Sequence, residues 1–119
     1  MERAPKNDSR YSWTAHVVEK MRYYGISEGR VKRIIRFPAR SEEGVIEGAV
    51  AVMQPTGTKQ HQEIWVMYKL EKTTPISKIT NFNLSDKKIK VITAWRYPGK
   101  SKTRDPIPQE IIREIQSLL

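Results

Sequence analysis

The stretch that decides the fold runs from Ser12 to Pro38 and reads SWTAHVVEKMRYYGISEGRVKRIIRFP. Apolar residues recur at helical spacing in its first half, and Gly25 then provides the usual helix stop. Ser27 is a good N-cap for a second helix, which Pro38 ends. Because only a short link separates the two segments, the sequence predicts a helical hairpin.

After this hairpin the apolar period changes to two, which predicts β-strands. Three strands are expected, at residues 45–54, 63–71 and 88–97. A turn cluster at 54–59 should join the first two as an antiparallel hairpin, and 72–86 is expected to be a long connection with room for one short strand. A basic loop at 98–105 then leads to Pro108, which suits the first turn of a closing helix.

This order of elements predicts an α+β fold. We expect an N-terminal helical hairpin packed on a three- to four-stranded antiparallel sheet, with a C-terminal helix. A single domain should occupy residues 11–119, after a polar, flexible tail at 1–10. The closing helix should cover part of the second sheet face or leave that face for binding.

Positive charge is the main compositional feature. Lysine and arginine number 22 against 13 acidic residues, which gives a net charge of +9. The excess concentrates at 30–40 and 87–104. Such a field attracts polyanions, and nucleic acid is the first of these.

Several classes of protein are excluded by what the sequence lacks. It contains no cysteine, which excludes disulfides, thiolate zinc sites and a cysteine nucleophile. Its two histidines are too few for a histidine-rich metal site, and no apolar run reaches the ~20 residues of a membrane span. We therefore expect a cytoplasmic protein that needs no metal or other cofactor and has no membrane partner.

Two segments carry a family resemblance. They are Trp13-Thr14-Ala15-His16, Lys20-Met21, Gly25-Ile26-Ser27 and Arg30-Val31 in the hairpin, and Lys90-Val91-Ile92-Thr93-Ala94-Trp95-Arg96 in the last strand. Together they resemble small bacterial domains of the RelE-like and BrnT-like toxin superfamily, over residues 11–38 and 87–97. The resemblance implies helices paired with a small antiparallel sheet, RNA cleavage without a metal, and restraint by an acidic antitoxin protein.

Three residues are candidates for catalysis. RNA cleavage without a metal needs a base, cations for the phosphorane charge, and an acid. His16 is the candidate base, because histidine titrates near neutral pH and the helix start lowers its pKa. Arg96 is the candidate phosphate clamp, with Lys69 beside it on the same sheet face. The alternative is a half-buried histidine that anchors the helix, and two ordinary strand cations.

The expected pairing of Lys69 with Arg96 depends on strict alternation in the strands. Alternation assigns Trp65, Lys69, Ala94 and Arg96 to one face, and Trp95 to the other.

Eight further residues are candidates for contact with nucleic acid, one aromatic ring for base stacking and seven cations for phosphates. They are Trp65, Lys20, Lys32, Arg33, Arg36, Lys100, Lys102 and Arg104. The alternative is a core position for the ring and solvated surfaces for the cations.

The sequence thus predicts a small basic RelE/BrnT-like domain that contacts RNA, with a metal-independent ribonuclease toxin as its catalytic form. The alternative is a non-catalytic nucleic-acid-binding or protein-interaction domain. Apolar residues on the second strand face and on the last helix are compatible with a homodimer.

Overall fold

A five-stranded mixed sheet and three helices make up the part of the chain that the computed structural model describes, residues 4–72 and 87–118. The elements are β1 (Tyr11–Trp13), α1 (Ala15–Tyr24), α2 (Glu28–Arg36), β2 (Arg40–Glu43), β3 (Ala49–Pro55), β4 (Gln62–Lys72), β5 (Lys87–Pro98) and α3 (Gln109–Leu118). The sheet order is β1-β5-β4-β3-β2. The predicted α+β class is confirmed.

The predicted helical hairpin is present, and its ends have the expected caps. Thr14 Oγ1 accepts a hydrogen bond of 3.0 Å from the Val17 amide at the start of α1. Gly25 ends this helix in the left-handed conformation, at φ 67°. Ser27 Oγ accepts from the Arg30 amide at 3.1 Å and so begins α2.

The sheet differs from the predicted antiparallel one. β1 pairs with β5 in parallel, and β2 adds an antiparallel edge beside β3. Each is short: the alternation in β1 covers only Tyr11, Ser12 and Trp13, too few residues to be recognised as a strand, and β2 has no apolar residues. β2 reads Arg-Ser-Glu-Glu, a charged composition that suits an edge strand because it discourages pairing with other chains.

A β-bulge in β5 overturns the expected alternation. Met67 and Tyr68 are consecutive in β4, yet their partners in β5 are Thr93 and Val91, so Ile92 is an extra residue. Beyond the bulge the two faces of β5 are exchanged relative to the prediction.

Both faces of the sheet are covered. On the α1–α2 side, the fully buried residues include Val17, Val31, Ile34, Val66 and Ala94. On the α3 side they include Trp65, Met67, Trp95, Ile111 and Ile115. The closing helix α3 therefore packs on the second face. This is one of the two arrangements that the sequence left open.

Residues 7–10 fall in the predicted tail and are hydrogen bonded to the start of β1. Asn7 Oδ1 accepts from the Trp13 amide at 2.8 Å. Asp8 Oδ1 accepts from the amides of Tyr11 at 2.7 Å and Arg10 at 2.8 Å. These two bonds lower the pKa of Asp8, and the bond from the Tyr11 amide has the larger effect.

The predicted connection at 72–86 lies, except for its first residue, outside the described residues. Within the described residues, no helix has the length and apolar character needed to span a membrane.

Candidate nucleic-acid interface

The outer side of α2 presents two arginines and a phenyl ring. Val31 and Ile34 turn inward and are fully buried, whereas Arg33 and Arg36 are exposed. Phe37 follows at the C-cap, and its exposure is 70%. Residues three positions apart are neighbours on a helix surface, so Arg33 lies beside Arg36, and Phe37 follows where the backbone leaves the helix, at φ −133°.

The backbone that carries the Phe37 ring is held on both sides. Its amide donates to the Arg33 carbonyl at 2.9 Å. Its carbonyl accepts from Gln54 Nε2 at 2.8 Å, and the Ala39 amide donates to the Met53 carbonyl at 2.8 Å. The ring thus stands in solvent on an anchored support.

A second group of exposed cations lies in the loop between β5 and α3. Lys100, Lys102 and Arg104 are exposed, whereas Ser101 between them is buried. Ser101 Oγ donates to Glu63 Oε1 at 2.6 Å. The buried serine therefore fixes the loop while its neighbours remain in solvent.

Arg40 joins this loop to the end of α2. Its Nη1 donates to the carbonyl and the hydroxyl oxygen of Ser101, both at 3.0 Å, and its Nη2 donates to the Lys102 carbonyl at 3.2 Å. Arg40 is three residues beyond Phe37, a stretch of chain that spans at most about 10 Å. Arg40 therefore connects the two basic segments at the sheet edge: α2 packs on one face of the sheet, whereas the Arg40 side chain contacts Trp65 and the loop on the α3 side. We call this the α2–loop surface, formed by Arg33, Arg36, Phe37, Lys100, Lys102 and Arg104.

Glu63 lies beneath the loop with an exposure of only 2%. Its Oε1 also accepts from Trp65 Nε1 at 2.9 Å, and its Oε2 lies 3.7 Å from Arg40 Nη1 and 4.0 Å from His61 Nε2. A buried carboxylate is tolerated when it is paired and hydrogen bonded, as here. Glu63 thus supports the loop from inside the protein.

The positive charge of the α2–loop surface is not neutralised locally. Among the described residues, none of its five cations forms an ion pair. Glu42 is hydrogen bonded to this part of the structure, but not to any of the five cationic side chains. Its carboxylate accepts from the Arg40 side chain at 2.8 Å and from the backbone amide of Arg104 at 3.1 Å. These bonds lower the pKa of Glu42, and the bond from the Arg40 side chain has the larger effect.

Two other predicted phosphate-binding cations are engaged elsewhere. Lys20 Nζ lies 2.8 Å from Oε1 of Glu114 and 2.7 Å from Oε2, and only the first contact has hydrogen-bond geometry. Lys32 Nζ lies 2.8 Å from Glu28 and 4.9 Å from the centre of the Tyr11 ring. Neither ammonium group belongs to the α2–loop surface.

The predicted base-stacking role of Trp65 is wrong, because the ring is fully buried. It stacks on Trp95 with ring centres 5.9 Å apart and planes at 3°, and the guanidinium of Arg40 lies 5.2 Å from it. Neither face of the Trp65 ring is open to a nucleobase. The core alternative for this residue is the one that the structure supports.

His16 and Lys69, two of the predicted catalytic residues, line one cleft of about 430 Å³. Ile92, Ile115 and an ion pair between Lys90 and Glu71, with 3.5 Å between Nζ and Oε1, also line it. The cleft therefore combines cationic, acidic and apolar side chains beside the first turn of α1.

The imidazole of His16 is largely enclosed, with 10% of the side chain exposed. Its Nε2 lies 2.9 Å from Thr93 Oγ1 and 3.6 Å from Glu114 Oε2. Burial lowers the pKa of His16 and outweighs the opposite effect of Glu114. The neutral imidazole is thus favoured.

Arg96 lies apart from this cleft. Its Nε donates to the Tyr24 carbonyl at 2.7 Å, and its Nη1 donates to Gln62 Oε1 at 3.4 Å. Tyr24 ends α1, about 12 Å along the helix from His16. The bulge turns Arg96 to the α1–α2 side and leaves Lys69 on the α3 side, so the expected pairing of the two is wrong.

Four residues of this interface escaped prediction from the sequence: Phe37, Arg40, Glu63 and Ser101. For Phe37 a signal existed, since an aromatic residue between a basic helix end and a proline is expected to be exposed. Contacts across distant segments determine the roles of the other three, and spacing along the chain does not reveal them.

Within the described residues, no group of three histidine, cysteine, aspartate or glutamate side chains could hold a metal ion. Comparisons of the chain with protein-family models, curated proteins and solved structures find no match. The resemblance to the RelE/BrnT-like superfamily therefore stays a prediction.

Proposed function

We propose that the protein is an RNA-binding domain whose α2–loop surface contacts the sugar-phosphate backbone. One observation carries this proposal: five exposed cations stand on two distant segments that Arg40 connects at the sheet edge, and none forms an ion pair within the described residues. They are Arg33, Arg36, Lys100, Lys102 and Arg104.

Phosphate contacts of this kind predict how steeply the affinity for RNA falls as the salt concentration rises. Each phosphate of a single strand that a cation neutralises lowers the log–log slope of affinity against salt by about 0.7. Five such contacts give a slope of about −3.5. Binding that depended on apolar contacts alone would respond far less to salt.

The arginines of α2 test the proposed surface. Fluorescence anisotropy of a labelled 12-nucleotide RNA should show that the double variant Arg33→Gln, Arg36→Gln binds about 10-fold more weakly than the wild type. The matched control is Arg22→Gln, Arg113→Gln, which removes the same charge from exposed positions on α1 and α3. Equal losses in both double variants would assign the binding to overall charge and contradict the proposed surface.

A ribonuclease activity is the second candidate, and we propose that it would use the cleft beside α1. The observation in its favour is that His16 and Lys69 line this cleft together with Lys90. A neutral imidazole near pH 7 can act as the base, and the ammonium group of Lys69 can stabilise negative charge on the phosphorane.

The ribonuclease candidate is tested by incubating RNA with purified protein in a metal chelator. Cleavage should fall at least 100-fold in His16→Ala and in Lys69→Met, and should persist in Arg96→Lys. Cleavage at the wild-type rate in the first two variants would assign it to a contaminating nuclease or to another site. Absence of cleavage by the wild type would leave the binding role alone.

An acidic antitoxin protein, which the RelE/BrnT resemblance implies, would compete with RNA for the same cations. We expect such a partner to displace labelled RNA from the wild type. Its affinity should fall in parallel with that of RNA in the Arg33→Gln, Arg36→Gln variant, because both ligands would be held by the same guanidinium groups.

A further inference from the structure

An exposed phenyl ring at Phe37 is unremarkable by itself, since single apolar side chains are common on protein surfaces. Its surroundings set it apart. Arg33 and Arg36 are exposed in the last turn of α2, just before it, and its backbone amide and carbonyl are both hydrogen bonded. The ring is therefore an anchored aromatic platform at the end of a basic helix turn.

We infer that Phe37 stacks on a nucleobase and that the α2–loop surface takes single-stranded rather than duplex RNA, an inference that rests on the proposed function. Bases in a duplex are already stacked on one another and offer no open face. Bases in a single strand can be splayed out onto an aromatic side chain while cations hold the flanking phosphates.

The arrangement of the cations supports this class of ligand. If a nucleotide stacked on Phe37, the phosphates on either side of it would lie near Arg33 and Arg36. Arg40, three residues farther along the chain, holds the loop backbone at Ser101 and Lys102. A strand that passed from the ring around the sheet edge at Arg40 would next meet the cations of the loop.

Tyr23 provides a matched comparison, because it is the other highly exposed aromatic side chain among the described residues, at 78%. Its ring packs edge-on against Tyr24, with centres 4.8 Å apart, and Lys20 Nζ lies 5.5 Å from its centre. That ammonium is paired with Glu114. Tyr23 thus has one exposed guanidinium group beside it in the chain, that of Arg22, whereas Phe37 follows two, those of Arg33 and Arg36.

The test measures affinity for a 12-nucleotide oligo(U) strand and for an RNA duplex of the same length. We expect Phe37→Ala to weaken binding of the single strand about 5- to 100-fold and to leave duplex binding within about 2-fold. Tyr23→Ala should leave both unchanged. Phe37→Trp should restore single-strand binding, and the fluorescence of the added indole should be quenched by RNA.

An oligo(dT) strand of equal length distinguishes single-stranded RNA from single-stranded DNA as the ligand. Stacking uses the face of the base, so Phe37→Ala should also weaken oligo(dT) binding. Whichever strand the wild type binds more tightly identifies the ligand as RNA or DNA.

Three results would overturn the inference. The first is that Phe37→Ala binds oligo(U) as tightly as the wild type does, while the Arg33→Gln, Arg36→Gln variant binds it weakly. That result would leave the proposed function standing. Another is an equal loss on single strand and duplex. The third is a wild-type dimer in sedimentation that Phe37→Ala converts to a monomer, since the ring would then be a contact between copies of this chain.

Discussion

Two residues with opposite charges, the buried Glu63 and the half-buried Arg40, organise the exposed cations of the loop. Glu63 and Arg40 both bind Ser101, one through the serine hydroxyl and the other also through its carbonyl. Neither would be recognised from the sequence, since Glu63 occupies a strand position and Arg40 resembles any basic residue after a helix. Their roles come from contacts with Ser101 that span 38 residues of chain for Glu63 and 61 for Arg40.

Replacing Glu63 by Gln should loosen the loop. The carboxylate would be lost beside Arg40, although a hydrogen-bond acceptor for Ser101 would remain. We expect unfolding free energy to fall by about 1–3 kcal/mol and RNA affinity to fall as well. Urea unfolding is the measurement, with the exposed Glu47→Gln as control. Equal stability of the two variants would show that the buried carboxylate does not support the loop.

Arg104 allows stability and binding to be separated. It has φ 68°, a left-handed conformation that glycine adopts without strain and arginine does not. Arg104→Gly should therefore raise unfolding free energy by up to about 1 kcal/mol while weakening RNA binding through the lost charge. Lys102→Gly removes the same charge without relieving strain, and should weaken binding with no gain in stability.

His16 should make stability depend on pH. Its folded pKa lies below the ordinary value of 6.5, so the unfolded chain takes up the proton more readily. The resulting stabilisation is present above pH 6.5 and is lost as pH falls toward the lowered pKa. In urea unfolding, wild type should lose more stability over this window than His16→Gln, which retains a donor for Thr93. Parallel pH profiles would contradict the lowered pKa.

Elements with strong local signals could be predicted from the sequence, whereas those defined by their neighbours could not. The caps at Thr14 and Ser27 lie within the helix starts they determine, so α1 and α2 could be predicted. The bulge at Ile92 depends on how β5 pairs with β4, and no glycine or proline marks it. One extra residue there turned Arg96 away from the predicted catalytic site.

The closing helix should stabilise the protein through one side. Ile115 is almost completely buried against the Trp65–Trp95 side of the sheet, whereas Ile112 is half-buried. Ile115→Ala should lower unfolding free energy by about 2–5 kcal/mol, because it leaves a cavity. Ile112→Ala should cost clearly less. Similar losses in thermal unfolding would contradict the packing of α3 on this face.

For the molecule as a whole, net charge predicted a class of ligand but not a site. The excess of positive charge lies in the segments 30–40 and 87–104. Folding sorts the candidate cations: Lys20 and Lys32 pair with acids, Arg96 binds backbone, and five others remain exposed on α2 and the loop. Distances between segments decide that sorting, and the sequence does not contain them.

The most direct test of the α2–loop surface is the salt dependence of RNA binding. Wild type should show a log–log slope of affinity against salt of about −3.5 with a single strand. Replacing Lys100, Lys102 and Arg104 together by Gln should reduce its magnitude by about 2, since three phosphate contacts are lost. A slope identical in the wild type and the triple variant would contradict the account, because the loop would then make no contact with RNA.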